Sequence, residues 1–292
     1  MKNITAKVSC FARAYHYKNN PVHIFADHAA GPLLGSEYAQ IAQYMSKGIG
    51  FFRPGFTGSQ EEGLRLIVDE QLAPSVLARS AYCENVLENE KRLGCSQYLV
   101  FASGYDTYAI RNADPSLSVF ELDLPEIIAD KKERTHRAGL QTDAIYVPCD
   151  LAQSSWRDQV IESGFLPGLR SFGSLLGISY YLTKAEFTSL IEALGSIMCE
   201  GSAICFDYPS LDDSRETLMN QALARAAEEQ MKARYSPEEM EALLAECGFL
   251  IYEQLGHGEM TDRFFSDYNR KSPEHSMVAP EGVRYVLAVR KA

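Results

Sequence analysis

The sequence has no Cys-x-x-Cys pair, although it carries seven cysteines, at positions 10, 83, 95, 149, 199, 205 and 247. Its six histidines, at 16, 23, 28, 136, 257 and 275, do not fall at ligand spacing. Scattered thiols in odd number support neither a zinc site nor a disulfide framework, so reduced and mostly buried cysteines are expected and no metal. No apolar run approaches the length of a membrane-spanning helix, and Met1 to Lys7 lack the apolar core of a secretory signal, so a cytoplasmic protein is expected. Positive charge is also in deficit: 28 Lys plus Arg stand against 39 Asp plus Glu, a net charge of −11. Such a surface repels phosphate backbones and argues against nucleic acid as a partner. The densest basic run, Lys131 to Arg137, is interrupted by Glu133 and reads as the solvated face of a helix.

What is present is a globular composition, 46% hydrophobic and 23% charged over 292 residues, enough for one α/β domain with appendages. Residues 1–73 read as a helical cap with turns at Ala30-Gly31-Pro32 and Arg53-Pro54-Gly55; Tyr38, Ile41, Ala42 and Met45 form one helical stripe. Residues 74–208 form the core. A helix from Pro74 to about Arg92 ends at Gly94. Short apolar strands follow at Gln97–Ala102, Ser118–Asp123, Ala144–Asp150, Ser171–Leu176 and Ser202–Tyr208, separated by helical stretches near 125–139, 154–163 and 184–198. This alternation predicts a doubly wound, mostly parallel sheet. Residues 209–235 read as a charged, Ala-rich helical insertion. In 236–292, Ser236-Pro237-Glu238-Glu239 opens a helix that stops at Gly248. The strands Phe249–Leu255 and Val283–Arg290 come next with no obvious crossover helix, which predicts an antiparallel pair closing a seven-stranded sheet.

Polar groups collect at the carboxyl ends of the first three strands, where open α/β sheets place their ligands. The turn Ala102-Ser103-Gly104-Tyr105-Asp106-Thr107 offers small residues for close approach of a ligand, and donors from any helix that follows. Asp123, 19 positions after Gly104, can accept from both hydroxyls of an adenosine ribose; Glu121 points to the same face by strand alternation. Asp150, ending the third strand, can accept from an adenine amino group. A dinucleotide would call for G-x-G-x-x-G, and here only Gly104 remains, crowded by Tyr105 and Tyr108. A cofactor carboxylate would call for a guanidinium fork, and Arg79 lies on the helix before the first strand. Spacing alone leaves Arg79 equally readable as a surface residue.

These segments resemble the leucine carboxyl methyltransferase family, including its bacterial relatives described as O-methyltransferases of polyketide biosynthesis. The resemblance runs over roughly residues 4–255. It rests on Phe11-Ala-Arg-Ala14, Leu77-Ala-Arg-Ser80, Gln97 to Arg111, Val119-Phe-Glu-Leu-Asp-Leu-Pro125 with Lys131, Tyr146 to Leu151, Leu176 to Thr183, and Phe206-Asp-Tyr208. It implies a Rossmann-like class I methyltransferase fold that uses S-adenosylmethionine. Arg79 would clamp the methionine carboxylate, and Ala102, Ser103, Gly104, Asp106 and Thr107 would line the methionine. Asp123, with Leu124 beside it, would hold the ribose, and Asp150 with Leu151 would bracket the adenine. The family's turn usually reads Gly-Ala-Gly, whereas this chain has Ala102-Ser103-Gly104, and an alanine held at positive φ would be strained.

Methyl transfer from a sulfonium is an in-line displacement, so aligning the acceptor and excluding water are the main tasks. A carboxylate acceptor needs no base, whereas a hydroxyl benefits from one. Asp207, Tyr208, His28 and His257 are the candidates for such a base, and Tyr180 and Tyr181 for the acceptor pocket. The place after the fourth strand holds Gly177-Ile-Ser-Tyr-Tyr181 rather than the Asn/Asp-Pro-Pro-Tyr/Phe of many amino-methyltransferases, which favours an oxygen acceptor. The expectation is an O-methyltransferase of a small molecule or peptide, with the cap and the 209–235 segment enclosing the acceptor. Two alternatives stand beside it: a non-catalytic S-adenosylmethionine-binding protein and a nicotinamide-dependent Rossmann enzyme.

Overall fold

The computed structural model describes residues 4–211 and 231–291. Seven strands form one sheet: β1 (Gln97–Phe101), β2 (Ser118–Asp123), β3 (Ile145–Pro148), β4 (Ser171–Leu175), β5 (Ala203–Pro209), β6 (Phe249–Leu255) and β7 (Val283–Arg290). Their order is β3-β2-β1-β4-β5-β7-β6. The first five are parallel, and β7 inserts antiparallel between β5 and β6. The strand order reverses between β3 and β4, so the connections that leave β1 and β4 run to opposite faces of the sheet and leave a crevice between them.

β1, β4 and β5 are buried throughout, as strands covered on both faces are; β1 and β5 are mostly apolar, and β4 meets the same demand with small residues, Ser171, Gly173 and Ser174, around Phe172 and Leu175. One face, through Tyr98, Val100, Val119, Phe172, Cys205, Tyr285 and Leu287, shares a core with the N-terminal helix Ile4–Asn19 and the Ala73–Arg92 helix. The other, through Leu99, Phe101, Phe120, Leu122, Phe206, Tyr208, Val286 and Ala288, packs on residues of Trp156–Glu162, Lys184–Ile197 and Pro237–Glu246. That last helix starts as expected: the Ser236 hydroxyl accepts from the Glu239 N–H, and the Glu239 carboxylate accepts from the Ser236 N–H. Gly94, at φ +92°, follows the Ala73–Arg92 helix.

Three expectations change. Between β1 and β2 the only helix is a single turn, Tyr108–Arg111, too short to present a row of free N–H groups to a ligand. The connection from β6 to β7 holds helical turns from His257 to Lys271, which pack Met260, Phe265 and Tyr268 into the core. Lys131 is fully buried rather than solvated, because its ammonium pairs with Glu121 beneath the Pro125–Arg137 helix. Of the expected 209–235 insertion, residues 212–230 lie outside the described residues. Its two ends meet, with Ser210 bridging Tyr235 and the Lys232 N–H donating to the Tyr180 carbonyl over 2.9 Å. All seven cysteines are free thiols. Among the described residues no helix is long and apolar enough to cross a membrane.

Candidate active site

The crevice begins at the turn after β1. Ala102 sits at φ +48° and Gly104 at φ +50°. The turn is held from below: the Ser103 N–H donates to the Leu122 carbonyl (3.0 Å) and the Gly104 N–H to Asp123 Oδ2 (2.7 Å). Ala6 of the N-terminal helix lies so near that a Cβ on Gly104 would come within 3.2 Å of its own Cβ. Glycine is therefore needed at 104 for both conformation and space. Ala102 is exposed, and the Ser103 hydroxyl is buried without a hydrogen-bond partner.

Asp123 completes β2 with each carboxylate oxygen taking one backbone N–H, Oδ2 from Gly104 and Oδ1 from Leu124 (2.7 Å). Burial raises its pKa, and these two N–H bonds and Lys131 work against the rise. Each oxygen keeps acceptor capacity, which is what two vicinal hydroxyls require. Glu121 does not share this role. It lies on the same face but is sealed against Lys131 with no exposure, and burial lifts its pKa to about 6. Asp150 is exposed just past β3, where its Oδ1 accepts from the Ala152 N–H (2.9 Å), and Leu151 packs partly buried against the core.

Asp106 and Thr107 are tied into the protein by their side chains. Asp106 Oδ1 accepts from the Tyr108 N–H (2.8 Å), and the Thr107 hydroxyl donates to Asp27 Oδ2 (2.8 Å). Asp27, absent from the sequence reading, is a fully buried hub. It also receives Arg13 Nε (2.8 Å) and the Ala29 and Ala30 N–H groups, with Arg111 Nε at 3.5 Å. Burial alone would raise its pKa; Arg13 and Arg111 outweigh that and hold the carboxyl below its ordinary value. Arg13 also donates to the Tyr105 carbonyl (2.7 Å), so this cluster fastens the cap to the turn. An Asp placed just before a short helix was a visible capping signal, but its partners lie 14 and 80 positions away.

On the β4–β5 side, Arg79 reaches over Gly177, whose φ is +68° and where an added Cβ would lie 2.6 Å from Arg79 Nη1. Arg79 Nη2 donates to Ser9 Oγ (3.2 Å), and Nη1 stands 3.8 Å from Asp207 Oδ2. Asp207 is fully enclosed: Oδ1 accepts from the Gly177 N–H (2.7 Å) and Oδ2 from the Tyr180 hydroxyl (3.0 Å). Such a carboxylate is not open to an acceptor's proton. Burial keeps Tyr180 and Tyr285 protonated, their pKa values well above the ordinary one. Tyr181 ends the same short turn, partly buried.

The other base candidates are elsewhere. Tyr208 faces the opposite side of the sheet, donating to Gln254 Oε1 (3.2 Å) and packed edge-on to Tyr235. His257 follows β6, with Nδ1 hydrogen-bonded to the Ala279 carbonyl. His28 is exposed in the cap, its ring 6.2 Å from Tyr17. None of the three is hydrogen-bonded or ion-paired to the Arg79–Asp207 group: Tyr208, one position over in the strand, faces the other side, His257 is bonded to the Ala279 carbonyl, and His28 is exposed beside Tyr17.

The strand order with an antiparallel β7, and a turn with no helix to receive a pyrophosphate, remove the nicotinamide alternative. The leucine carboxyl methyltransferase family model matches residues 6–195, well over half of the chain. The chain belongs to the leucine carboxyl methyltransferase family. A Bacillus subtilis (strain 168) protein, YktD, is 36% identical over 306 aligned positions, covering 99% of this chain and 98% of its own. It is provisionally named an S-adenosyl-L-methionine-dependent methyltransferase. A Mycobacterium ulcerans protein with the same provisional description is 29% identical over 68% of both chains. In fold, this family member is similar to a Thermobifida fusca protein described as a provisional methyltransferase, with a TM-score of 0.58 over 98% of this chain and 94% of that one at 13% identity.

Proposed function

We propose that this methyltransferase uses S-adenosylmethionine to methylate an oxygen of a small molecule or peptide, with a carboxylate as the favoured acceptor. One observation carries the choice. Among the described residues, the polar groups beside Arg79 are the Ser9 hydroxyl, an enclosed Asp207 with both oxygens hydrogen-bonded, and two protonated tyrosines, so none of them is an open base for an acceptor's proton. A carboxylate is already a nucleophile at neutral pH and needs none.

The cofactor supplies an electrophilic methyl group on a sulfonium. We assign the methionine carboxylate to Arg79, whose fork keeps free donors among the described residues, and the methionine chain to the backbone at Ala102, Ser103 and Gly104. The unpartnered Ser103 hydroxyl supports this, since a buried donor without a partner costs about 1–3 kcal/mol until a ligand meets it. Asp123 would hold the ribose hydroxyls, and Asp150 and Leu151 the adenine. Tyr180 and Tyr181 would border the acceptor, where their rings exclude water and orient the attacking oxygen.

Incubation with methyl-labelled S-adenosylmethionine and parallel panels of carboxylic acids, phenols and amines tests the reading. Labelled product from carboxylic acids, releasing volatile methanol in mild base, is expected. Base-stable product formed on amines alone would overturn it.

A further inference from the structure

We infer that Asp207 is a positioning residue for the cofactor's carboxylate: enclosed itself, it sets the Arg79 fork and the Gly177 turn in register with each other. The inference rests on the assignment of Arg79 above and gives Asp207 a part other than that of a base.

The geometry ties two separate elements, the turn after β4 and the helix before β1, to one carboxylate on β5. Oδ1 fixes the turn after β4 through the Gly177 N–H, and Oδ2 fixes the same turn three residues later through the Tyr180 hydroxyl. The Ser179 hydroxyl adds a third tie, to the Asp207 carbonyl at 2.6 Å. Arg79, from the helix before β1, lies across that turn with Nη1 3.8 Å from Oδ2. That distance is too long for a hydrogen bond but close enough for strong attraction between opposite charges in a buried setting. The separation matters. A direct fork-on-fork pair would consume the two parallel N–H groups that a ligand carboxylate needs. At 3.8 Å, Asp207 holds the guanidinium by charge while the only hydrogen bond the fork makes among the described residues is the one to Ser9. Gly177 completes the arrangement, since any side chain there would displace Arg79.

Tyr285, directly opposite Asp207 in the β5–β7 register, contributes a buried hydroxyl without a partner beside the pair. The group therefore balances one buried negative charge with one positive charge and two neutral donors. A second anion, the ligand carboxylate, would meet Arg79 on its uncommitted side.

Two cofactor fragments separate positioning from mere structural support. S-Adenosylhomocysteine carries the amino-acid carboxylate; 5′-methylthioadenosine keeps the adenosine and sulfur without it. In calorimetric titrations of the full chain, Asp207→Asn is expected to weaken S-adenosylhomocysteine about tenfold, the loss of one charge-assisted contact, and to leave 5′-methylthioadenosine within about twofold. Equal losses for both ligands, or no loss for either, would overturn the inference. Arg79→Ala is run in parallel. Failure of Arg79→Ala to discriminate the two ligands would remove Arg79 from the carboxylate site altogether. Discrimination by Arg79→Ala but not by Asp207→Asn would remove only Asp207. Should Asp207→Asn not fold, Tyr180→Phe frees one oxygen of the carboxylate and is expected to give a smaller loss, about two- to threefold, again confined to S-adenosylhomocysteine; absence of that selective loss overturns the inference too.

Discussion

Ala102 holds φ at +48°, a region that costs an L-residue roughly 1–2 kcal/mol relative to its ordinary conformations. Its neighbour two residues on, Gly104, meets the same demand without strain. Ala102→Gly relieves the Cβ clash but gives the unfolded chain more freedom, worth about 0.4–1 kcal/mol in the other direction. The net expectation is a stability gain of about 0.5–1 kcal/mol by urea denaturation. A lower midpoint for Ala102→Gly would mean that the turn is not strained there. Gly104→Ala should do the reverse and lose stability, since its Cβ meets both the wrong φ and Ala6. Departure from the family's Gly-Ala-Gly was legible in the sequence; its strain was not, because φ is a property of the fold. The same holds for the acids of the second strand. Alternation placed Glu121 and Asp123 together correctly, yet only the packed helix above them decides that one is sealed by Lys131 and the other reaches the crevice.

That helix, Pro125–Arg137, covers the sheet edge at the expense of burying an ion pair. Removing one partner leaves the other's charge enclosed and uncompensated, a loss of about 3–5 kcal/mol, whereas replacing both with apolar groups of similar volume is near neutral. Lys131→Met is therefore expected to destabilise strongly, and Glu121→Leu added to it should recover most of the loss, both read by urea denaturation. The sign of the pH effect follows from Glu121, whose pKa burial already lifts to about 6. Without Lys131 the folded-state value rises further, so the variant is least impaired at low pH, where the carboxyl is neutral, and worsens as pH rises. Additive losses in the double variant would contradict this. At this scale the sequence was most informative. Each strand was found within one or two residues, because buried parallel strands read as short apolar runs between turn residues. The helices at 73–92, 125–137 and 184–197 were legible from periodicity and caps. The helical turns from His257 to Lys271 were not, since Asp262, Arg263 and Asp267 interrupt the apolar pattern that Met260, Phe265 and Tyr268 complete only on packing.

The cap and the sheet domain are joined by polar and ring contacts that no local pattern could reveal: the buried Asp27 hub, the part-buried bond of Arg79 to Ser9, and His16 against Tyr268. His16 Nε2 accepts from the Ile24 N–H (2.9 Å), and its ring lies 5.2 Å from Tyr268, so one imidazole ties the N-terminal helix to the β6–β7 connection. Burial, with lesser repulsion from His23 and Arg65, lowers its pKa from 6.5 to about 3. A depressed folded-state value means that its contribution is complete above pH 6.5 and lost progressively as pH falls toward 3. Urea midpoints should therefore drop between pH 7 and pH 5. His16→Gln, whose amide oxygen can accept from Ile24 without titrating, should flatten that drop; parallel curves would assign the acid sensitivity elsewhere. The sheet order carries a last consequence, for biosynthesis. Strands β1 to β5 can assemble in the sequence in which they leave the ribosome, but β6 emerges with no neighbour in the sheet to join, because β7, which separates it from β5, is made after it. Until residues 283–290 arrive, the edge of β5 is an unpaired strand in a nascent chain, and it is there that a chaperone or a second unfinished copy would find its template.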